Sequence, residues 1–333
     1  MNRDIRKYSK FFISLAILVF LICIADQIIG RILRHLYFKQ TSGLYYRTTY
    51  AIDSTKADIL VFGSSRASHH YVPEVFEKTL KLKFYNTGRD GNFLLFNYAT
   101  FKSVINRYTP RIIVFDINPD ELFKNEEEYE RLSSLLPYYR DHPEIRSIVE
   151  LKSPYERYKL ISEIYPFNSS FLTIIIGNLE VNRDRKGDRK GYVPLTGIIR
   201  DTVLHEFSSP EGGLDINKIK SIKDIIQYCN SNDIALFFVQ SPIYAQLGNT
   251  LSLQYIAKVS KENNVIFWDF SNNPDVLSKP EFFQDQDHLN DKGAKYFSNL
   301  LVEKIKVLQI YSDQIGRSSE EYDYAYTRSH HSQ

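Results

Sequence analysis

Two short stretches, far apart in the sequence, carry side chains that together suit acyl-transfer chemistry. The first, ADILVFGSSRASHH at residues 57–70, runs four apolar residues directly into a Gly-Ser-Ser turn that contains Ser65. The second, FFQDQDHLNDKGA at residues 282–294, places Asp285 three residues before His288. A nucleophilic serine needs a base within hydrogen-bond reach, an acid that orients the base, and donors for the oxyanion. These two stretches supply the serine, the base and the acid.

The spacing of Asp285 and His288 favours a general base that is held by its own loop. The carboxylate can turn back onto the imidazole, fix its tautomer and stabilise the imidazolium formed when the ring takes a proton. Ser65 follows the first predicted strand and His288 follows the last, and the carboxyl ends of parallel strands lie at one edge of a sheet. The sequence therefore predicts a catalytic triad of Ser65, His288 and Asp285. Alone, Ser65 would be interpreted as a turn serine that caps the following helix.

Donors for the oxyanion follow two further strands. Gly91, in NTGRDGN, offers a backbone N–H that no side chain obstructs, and Asn118, in FDINPDE, offers its amide. With the backbone N–H of Ser65, these make three predicted donors from three strand ends. Asp116 stands two residues before Asn118 and would oppose negative charge. Either Asp116 points away from the site or Asn118 is not a donor.

Each of three residues that follow Ser65 has two possible roles. Arg66 can bind an anion or a substrate carboxylate, and it can equally pair with an acid. His69 and His70 are too close to Ser65 in sequence to act as its base, so we expect them to line the cleft or to be structural. No two-histidine helix motif or carboxylate cluster occurs outside the triad stretch, and we expect no metal and no cofactor.

The pattern of apolar residues predicts the fold that positions these groups. Segments with helical spacing separate short, continuous apolar runs, which are typical of buried parallel strands. The runs are residues 59–62, 82–85, 112–117, 234–239 and 265–268. The helical segments are residues 94–108, 216–229 and 294–305. This alternation predicts an α/β fold, a three-layer sandwich with a five-stranded parallel sheet, whose working site lies at the carboxyl ends of the strands.

The alternation is interrupted between residues 121 and 213, a stretch too long for one crossover. We expect a largely helical insertion there that caps the sheet of a domain at residues 58–308. Within the insertion, the basic cluster at residues 183–190 is either a solvated loop or an anion site. Residues 309–333 are polar and lack an apolar face, which predicts a disordered tail.

The N-terminal region predicts a membrane anchor. Residues 11–30 form an apolar run of about the length that crosses a bilayer as a helix. Four basic residues within residues 1–10 indicate a cytoplasmic N-terminus, with the rest of the chain outside. A cleaved signal peptide is the alternative, but no small-x-small site closes the run. We predict an uncleaved single-pass anchor in the cytoplasmic membrane, followed by a stalk at residues 31–57.

Composition excludes some classes of function. The 333 residues carry 42 Lys plus Arg against 40 Asp plus Glu, a net charge of +2, so nothing favours a nucleic-acid partner. The two cysteines show neither the spacing of a zinc site nor a disulfide framework.

The motifs taken in order resemble those of the SGNH (GDSL-type) hydrolase superfamily over about residues 58–306. Ser65 matches the nucleophile of that superfamily, Gly91 and Asn118 match its oxyanion residues, and the Asp-x-x-His block matches its acid and base. The resemblance implies a flavodoxin-like fold and an esterase, lipase, thioesterase or carbohydrate acetyl-transfer activity. Two departures are Gly-Ser-Ser in place of Gly-Asp-Ser, and Asp116 where a glycine is usual.

With its predicted anchor, the chain is similar to the membrane-tethered, extracytoplasmic branch of this superfamily. That similarity implies a serine esterase or O-acyltransferase, acetyl being the expected acyl group, that acts on a cell-envelope or extracellular polysaccharide through an acyl-serine. Its implied partners are the membrane, that polysaccharide or another acylated small substrate, and an integral-membrane protein that delivers the acyl group. The alternative is an inactive scaffold that binds envelope glycan or a membrane partner, which the two departures keep open.

Overall fold

The computed structural model describes residues 3–179 and 188–315. Its contacts divide the chain into two compact units. The first, here called the anchor unit, combines Met1–Tyr46 with Leu132–Lys186. The second, here called the sheet unit, combines Arg47–Arg131 with Gly187–Gln333. The central part of the predicted insertion falls in the same unit as the N-terminal helix, and its two ends fall in the sheet unit.

The sheet unit contains the predicted five-stranded parallel sheet. In chain order its strands are β1 (Ile59–Phe62), β2 (Phe84–Asn86), β3 (Ile112–Asp116), β5 (Ala235–Gln240) and β7 (Ile266–Asp269). Their spatial order is β2-β1-β3-β5-β7, which is the flavodoxin-like arrangement, and every neighbouring pair is parallel. Two further short strands, β4 (His205–Glu206) and β6 (Ala245–Gln246), pair only with each other. The α/β prediction is confirmed.

Side-chain alternation gives the sheet two apolar faces, which explains why its strands are apolar throughout. Leu60 and Phe62 lie in a core with residues of α2 (Gly43–Asp53), α5 (Leu94–Ile105), α10 (Ile216–Ser231) and α11 (Leu251–Glu262). Ile59 and Val61 lie in a second core on the opposite face. That core includes residues of α3 (Ser65–His70), α4 (Pro73–Leu80), α12 (Pro274–Leu277) and α13 (Asp291–Ile315). Helices therefore cover both faces of the sheet. The site lies at the carboxyl ends of the strands.

Helix ends follow from local chemistry. The Asp215 side chain accepts hydrogen bonds from the N–H groups of Asn217 and Lys218 at the start of α10, as an N-cap does. Thr250 caps α11 in the same way. The last helix, α13, continues to Ile315, beyond residue 309 where the disordered tail was predicted to begin. The rest of the predicted tail, residues 316–333, lies outside the described residues.

The anchor unit is built on α1, a continuous helix of 36 residues from Arg3 to Phe38. Residues 6–38 are long and apolar enough to cross a membrane. Within the predicted stalk at residues 31–57, α1 continues through the first part and α2 occupies most of the rest. Leu33 and Tyr37 are buried in this extension of α1, which therefore has a packed face.

Short helical pieces make up most of the predicted insertion. They are α6 (Glu126–Arg131), α7 (Arg146–Val149), α8 (Glu156–Lys159) and α9 (Phe171–Asn178), with 3-10 turns at Leu132–Tyr138, Pro143–Ile145 and Tyr165–Ser170. A further 3-10 turn, Pro280–Phe282, belongs to the sheet unit. In the basic cluster, residues 183–187 lie outside the described residues. Arg189 and Lys190 form ion pairs with Glu74 and Glu77 of α4.

Candidate active site

The side chains of Ser65, His288 and Asp285 form one hydrogen-bonded chain in the sheet unit. Ser65 Oγ lies 2.7 Å from His288 Nε2. On the other side of the ring, His288 Nδ1 lies 2.9 Å and 3.1 Å from the two carboxylate oxygens of Asp285. The structure thus brings together three residues that are 223 and three positions apart in the sequence. This arrangement lets His288 take a proton from Ser65 while Asp285 fixes its tautomer.

The loop between β7 and α13 holds the acid and base in place. Phe283 and Leu289 form an antiparallel bridge, and the N–H of Gln284 donates to the carbonyl of His288, which closes the loop. Asp285 Oδ1 also accepts from the backbone N–H groups of Asp287 and His288, each at 2.9 Å. The carboxylate is therefore aimed by its own backbone turn before it contacts the imidazole.

Electrostatics keeps the Asp285 carboxylate charged. Partial burial by itself would raise the pKa of Asp285. The hydrogen bond and charge of His288, together with the backbone N–H groups of Asp287 and His288, outweigh burial and lower that pKa below its usual value. A charged Asp285 can stabilise the imidazolium that forms when His288 takes a proton.

A sharp turn at the end of β1 presents Ser65. Gly63 has φ +150°, and a Cβ there would lie 2.8 Å from Ala67 Cβ and 3.0 Å from Asp116, so glycine is required. Ser65 is the first residue of α3 and remains partly exposed. The turn is tied to the next strand end, because the N–H of Arg89 donates to the Gly63 carbonyl at 3.1 Å.

Gly91 lies in the loop that this bond ties to the serine turn. Its φ is +68°, and an added Cβ would lie 2.2 Å from Arg131 Nη1, so this position too requires glycine. The Gly91 carbonyl accepts from Arg131 Nη1 at 2.9 Å, which leaves the N–H of Gly91 as the group that can face a substrate. Its assignment as an oxyanion donor stays a prediction.

Asn118 lies beside the serine turn, but a second acid engages its amide. Asn118 Nδ2 donates to the Glu121 carboxylate, and the Asn118 N–H lies 3.2 Å from Glu121 Oε2. Nδ2 also lies 3.3 Å from Ser64 Oγ. A primary amide has two hydrogens. Glu121 takes one of them and Ser64 Oγ lies within reach of the other, so the assignment of Asn118 as an oxyanion donor stays a prediction.

Asp116 points away from the site, which answers the question raised by its position. It is 3% exposed, accepts from Ser241 Oγ at 2.7 Å and lies 3.5 Å from Arg66 Nη2. The guanidinium of Arg66 thus faces the charge of Asp116 inside the domain. A negative charge at this position does not compete with an oxyanion.

Of the two roles predicted for Arg66, the structure shows pairing with an acid, Asp116, and not contact with a substrate. Arg66 is 3% exposed, and its guanidinium donates to the carbonyls of Ile117 and Ser241 at 2.7 and 3.3 Å. It also donates to Gln240 Oε1 at 3.3 Å. Because both of its Nη groups donate within the domain, Arg66 joins the ends of β3 and β5.

His70 is also structural and not a cleft residue. The N–H of Leu289 donates to His70 Nε2 at 2.9 Å, so Nε2 is an acceptor and Nδ1 carries the proton. Nδ1 then donates to Ser241 Oγ at 2.9 Å, and Ser241 donates to Asp116. This chain fixes the backbone next to His288. Sequence reasoning missed Ser241, whose only signal was its place two residues after a predicted strand.

His69 borders the catalytic ring. Its Nδ1 lies 2.7 Å from the Val193 carbonyl, and its Nε2 lies 3.4 Å from the Asp90 carboxylate. The ring meets His288 edge-on, with centroids 5.5 Å apart. His69 is 5% exposed, so it packs behind His288 and offers little surface to a substrate.

Within residues 3–179 and 188–315, no group of three or more His, Cys, Asp or Glu side chains is placed to hold a metal ion.

The buried, neutral state of His70 predicts a pH dependence of stability. Burial first, and then the charges of His288, Arg66 and His69, hold the pKa of His70 well below its usual value. Below about pH 6.5 the unfolded chain binds a proton at His70 that the folded chain excludes, so stability falls by up to about 1.4 kcal/mol per pH unit. We expect His70→Asn, which retains a donor for Ser241, to remove this component of the slope.

Urea unfolding in detergent solution at pH 7.5, 6.5 and 5.5 measures that slope. The comparison uses the pH dependence of each protein and not its stability at one pH, so a general loss of stability in the variant does not affect the result. An unchanged slope in His70→Asn would show that folding does not lower the pKa of His70.

Comparisons with known proteins find a distant structural similarity. No protein-family model matches it, and no curated protein matches it significantly. One matching solved structure is that of a protein assigned to the lipolytic proteins of the G-D-S-L family from Desulfitobacterium hafniense DCB-2. The match covers 74% of this chain and 98% of that protein at 11% identity, with a TM-score of 0.38. The geometry of the site, and not these comparisons, carries the function proposed below.

Proposed function

We propose that the chain is a serine-dependent esterase or O-acyltransferase of the SGNH (GDSL-type) hydrolase superfamily. The observation that carries this proposal is the hydrogen-bonded chain from Ser65 Oγ through the His288 ring to Asp285. A serine that merely caps a helix does not need an imidazole 2.7 Å from its hydroxyl, nor a carboxylate behind that imidazole.

In the first half of the reaction, Ser65 attacks the acyl carbonyl while its proton passes to His288 Nε2. The negative charge on the carbonyl oxygen faces the N–H groups of Ser65 and Gly91 and the Asn118 amide. When the tetrahedral intermediate collapses, the bond to the leaving alcohol breaks and His288 returns the proton to that alcohol. The products are a free alcohol and an acyl ester on Ser65.

In the second half, His288 removes a proton from the acceptor, which attacks the acyl-serine. Water as acceptor releases a carboxylic acid, whereas a sugar hydroxyl forms a new ester. Ser65 regains its proton from His288 in both cases. Asp285 stabilises the imidazolium at each step, and because its pKa is low it remains charged throughout.

We propose that α1 is an uncleaved, single-pass anchor in the cytoplasmic membrane, with the N-terminus inside and the catalytic unit outside. The helix continues from its apolar run into a packed segment of the anchor unit. Asp26 accepts hydrogen bonds from Ser162 Oγ at 2.5 Å and from the N–H groups of Glu163 and Ile164 at 2.7 and 3.3 Å. Cleavage after the apolar run would separate α1 from these partners, which supports retention of the helix.

The proposed substrate is an O-acylated, in particular O-acetylated, polysaccharide of the cell envelope or outside the cell, or another small acylated molecule. The anchor supports this, because it tethers the site to the surface where such polymers occur. For transfer instead of hydrolysis, the acyl group would come from an integral-membrane protein.

The alternative function is an inactive scaffold that binds envelope glycan or a membrane partner. The close contact of Asn118 with Glu121 is the observation that favours this alternative.

Turnover of a chromogenic acetyl ester by the purified full-length protein in detergent tests the proposed activity. We expect release of the alcohol in a rapid first phase followed by a slower steady rate, as an acyl-enzyme requires. Addition of soluble oligosaccharide acceptors should increase alcohol release if the enzyme is a transferase. A folded protein that gives no turnover above the buffer rate with a panel of acyl esters would favour the scaffold.

A further inference from the structure

We propose that the anchor unit has a lipid-binding surface outside α1, formed by Ile161 and by Leu172 and Ile175 of α9, which sits in the outer boundary of the membrane. This inference rests on the proposed anchor and goes beyond it, because it concerns residues more than 120 positions after the span. Soluble proteins rarely leave large aliphatic side chains this exposed in one region without a partner.

The exposure of these side chains is unusual for their chemistry. Ile161 is 74% exposed, Leu172 is 70% exposed and Ile175 is 38% exposed. Phe171 and Leu179, at the two ends of α9, are 45% and 51% exposed. Between residues 160 and 179 the sequence holds one charged residue, Glu163, which pairs with Arg140 in the same unit. Both the sequence of this region and its exposed side chains are therefore largely apolar.

Contacts with α1 set the height of Ile161 relative to the membrane. The next three residues, 162–164, provide the hydrogen bonds to the Asp26 carboxylate. At 1.5 Å per residue, Asp26 lies about 22 Å along the helix from Phe11, where the apolar run begins. The hydrocarbon core of a bilayer is about 30 Å thick, so a core that begins near Phe11 extends past Asp26 to about Arg31. Ile161 then lies just inside the lipid boundary.

The same contacts explain how a carboxylate can occupy that depth. Lipid tails offer no hydrogen bonds, so an acidic side chain inside the span needs protein partners. Residues 162–164 supply three donors to Asp26. At Gly30, an added Cβ would lie 2.2 Å from Glu163 Cβ, which shows how closely the segment packs on the helix. A segment that reaches Asp26 in this way must itself enter the boundary region.

Helix α9 lies somewhat higher along α1. Asn178 Nδ2 donates to the Leu36 carbonyl at 3.0 Å, and a Cβ at Gly177 would lie 2.5 Å from the Gln40 side chain. Leu36 is about 8 Å beyond Arg31 at the helical rise, which is at the outer edge of the headgroup layer. Helices in that layer typically bury one apolar face 5–10 Å into the boundary between headgroups and tails. Leu172 and Ile175 provide such a face.

Site-directed spin labelling of the full-length protein in phosphatidylcholine–phosphatidylglycerol vesicles tests this surface. Single cysteines replace Ile161 or Leu172 in a Cys23→Ala background, where the remaining Cys229 is buried. Collision with oxygen, which concentrates in lipid, is compared with collision with a water-soluble nickel chelate. We expect oxygen to be favoured several-fold at both positions relative to a label at Ile216, an exposed isoleucine of the sheet unit that serves as the matched aqueous control.

A label at Leu18 in the apolar run of α1 separates failure of this inference from failure of the anchor. If Leu18→Cys reports lipid while Ile161→Cys or Leu172→Cys reports water, or is shielded from both reagents, the lipid-binding surface is excluded and the anchor stands. If Leu18→Cys itself reports water, the anchor is excluded and the lipid-binding surface with it.

Discussion

Replacement of Ser65 by alanine is expected to lower kcat/KM for ester cleavage by at least about 10⁴-fold. The reason is that Ser65 Oγ is the atom that His288 Nε2 contacts, and alanine removes both the proton that His288 would take and the oxygen that would accept the acyl group from the ester. Because the Ser65 side chain is partly exposed, its loss leaves no large internal cavity. Steady-state kinetics with a chromogenic ester, together with the thermal midpoint of unfolding, measures both effects.

Ser64 provides the matched control for this prediction. Its hydroxyl lies 3.3 Å from Asn118 Nδ2 in the same turn, one residue before Ser65. We expect Ser64→Ala to retain most of the activity, since the turn depends on Gly63 and not on that hydroxyl. If Ser64→Ala loses as much activity as Ser65→Ala, the nucleophile assignment is wrong.

Replacement of Asp285 by asparagine is expected to lower kcat by about 10⁴-fold with little change in folding. An asparagine amide can direct its N–H toward His288 Nδ1. The ring then carries its proton on Nε2, which can no longer accept the proton of Ser65. The amide also lacks the charge that stabilises the imidazolium. The rate of ester cleavage at several pH values measures this loss.

Asp287, two residues away, carries the same charge on the same loop. We expect Asp287→Asn to retain nearly full activity, because the only contact of Asp287 with the acid is the N–H that its backbone donates to Asp285. A larger loss in Asp287→Asn than in Asp285→Asn would reassign the acid of the triad.

The strands of the sheet were predictable because each is buried on both faces. In β1, Leu60 and Ile59 enter opposite cores, so the sequence has no polar face and reads as a continuous apolar run. Each strand lies within two residues of the predicted run. Parallel topology then places the ends of the first and last strands at one edge, which is why Ser65 and His288 could be paired despite their separation.

The parts that the sequence did not predict depend on partners far away in the chain. The extension of α1 beyond residue 30 has a buried face only because the insertion supplies a partner, as the contact between Tyr37 and Tyr138 at 3.2 Å shows. In the same way, hydrogen bonds from His70 to Ser241 and from Ser241 to Asp116 join the end of α3 to the ends of β5 and β3 through single polar side chains. No local spacing or periodicity marks such a group, so the sequence left open whether Arg66 and His70 belong to the site, and the structure shows that both are interior.

The central claim is that Ser65 is a nucleophile activated by His288. Treatment of the full-length protein with a fluorophosphonate, followed by mass spectrometry of its peptides, tests this claim most directly. The account predicts one phosphonylated residue, Ser65, and a strongly reduced rate of modification in His288→Ala. Modification of a different residue, or a folded protein that is not modified at all, would contradict it.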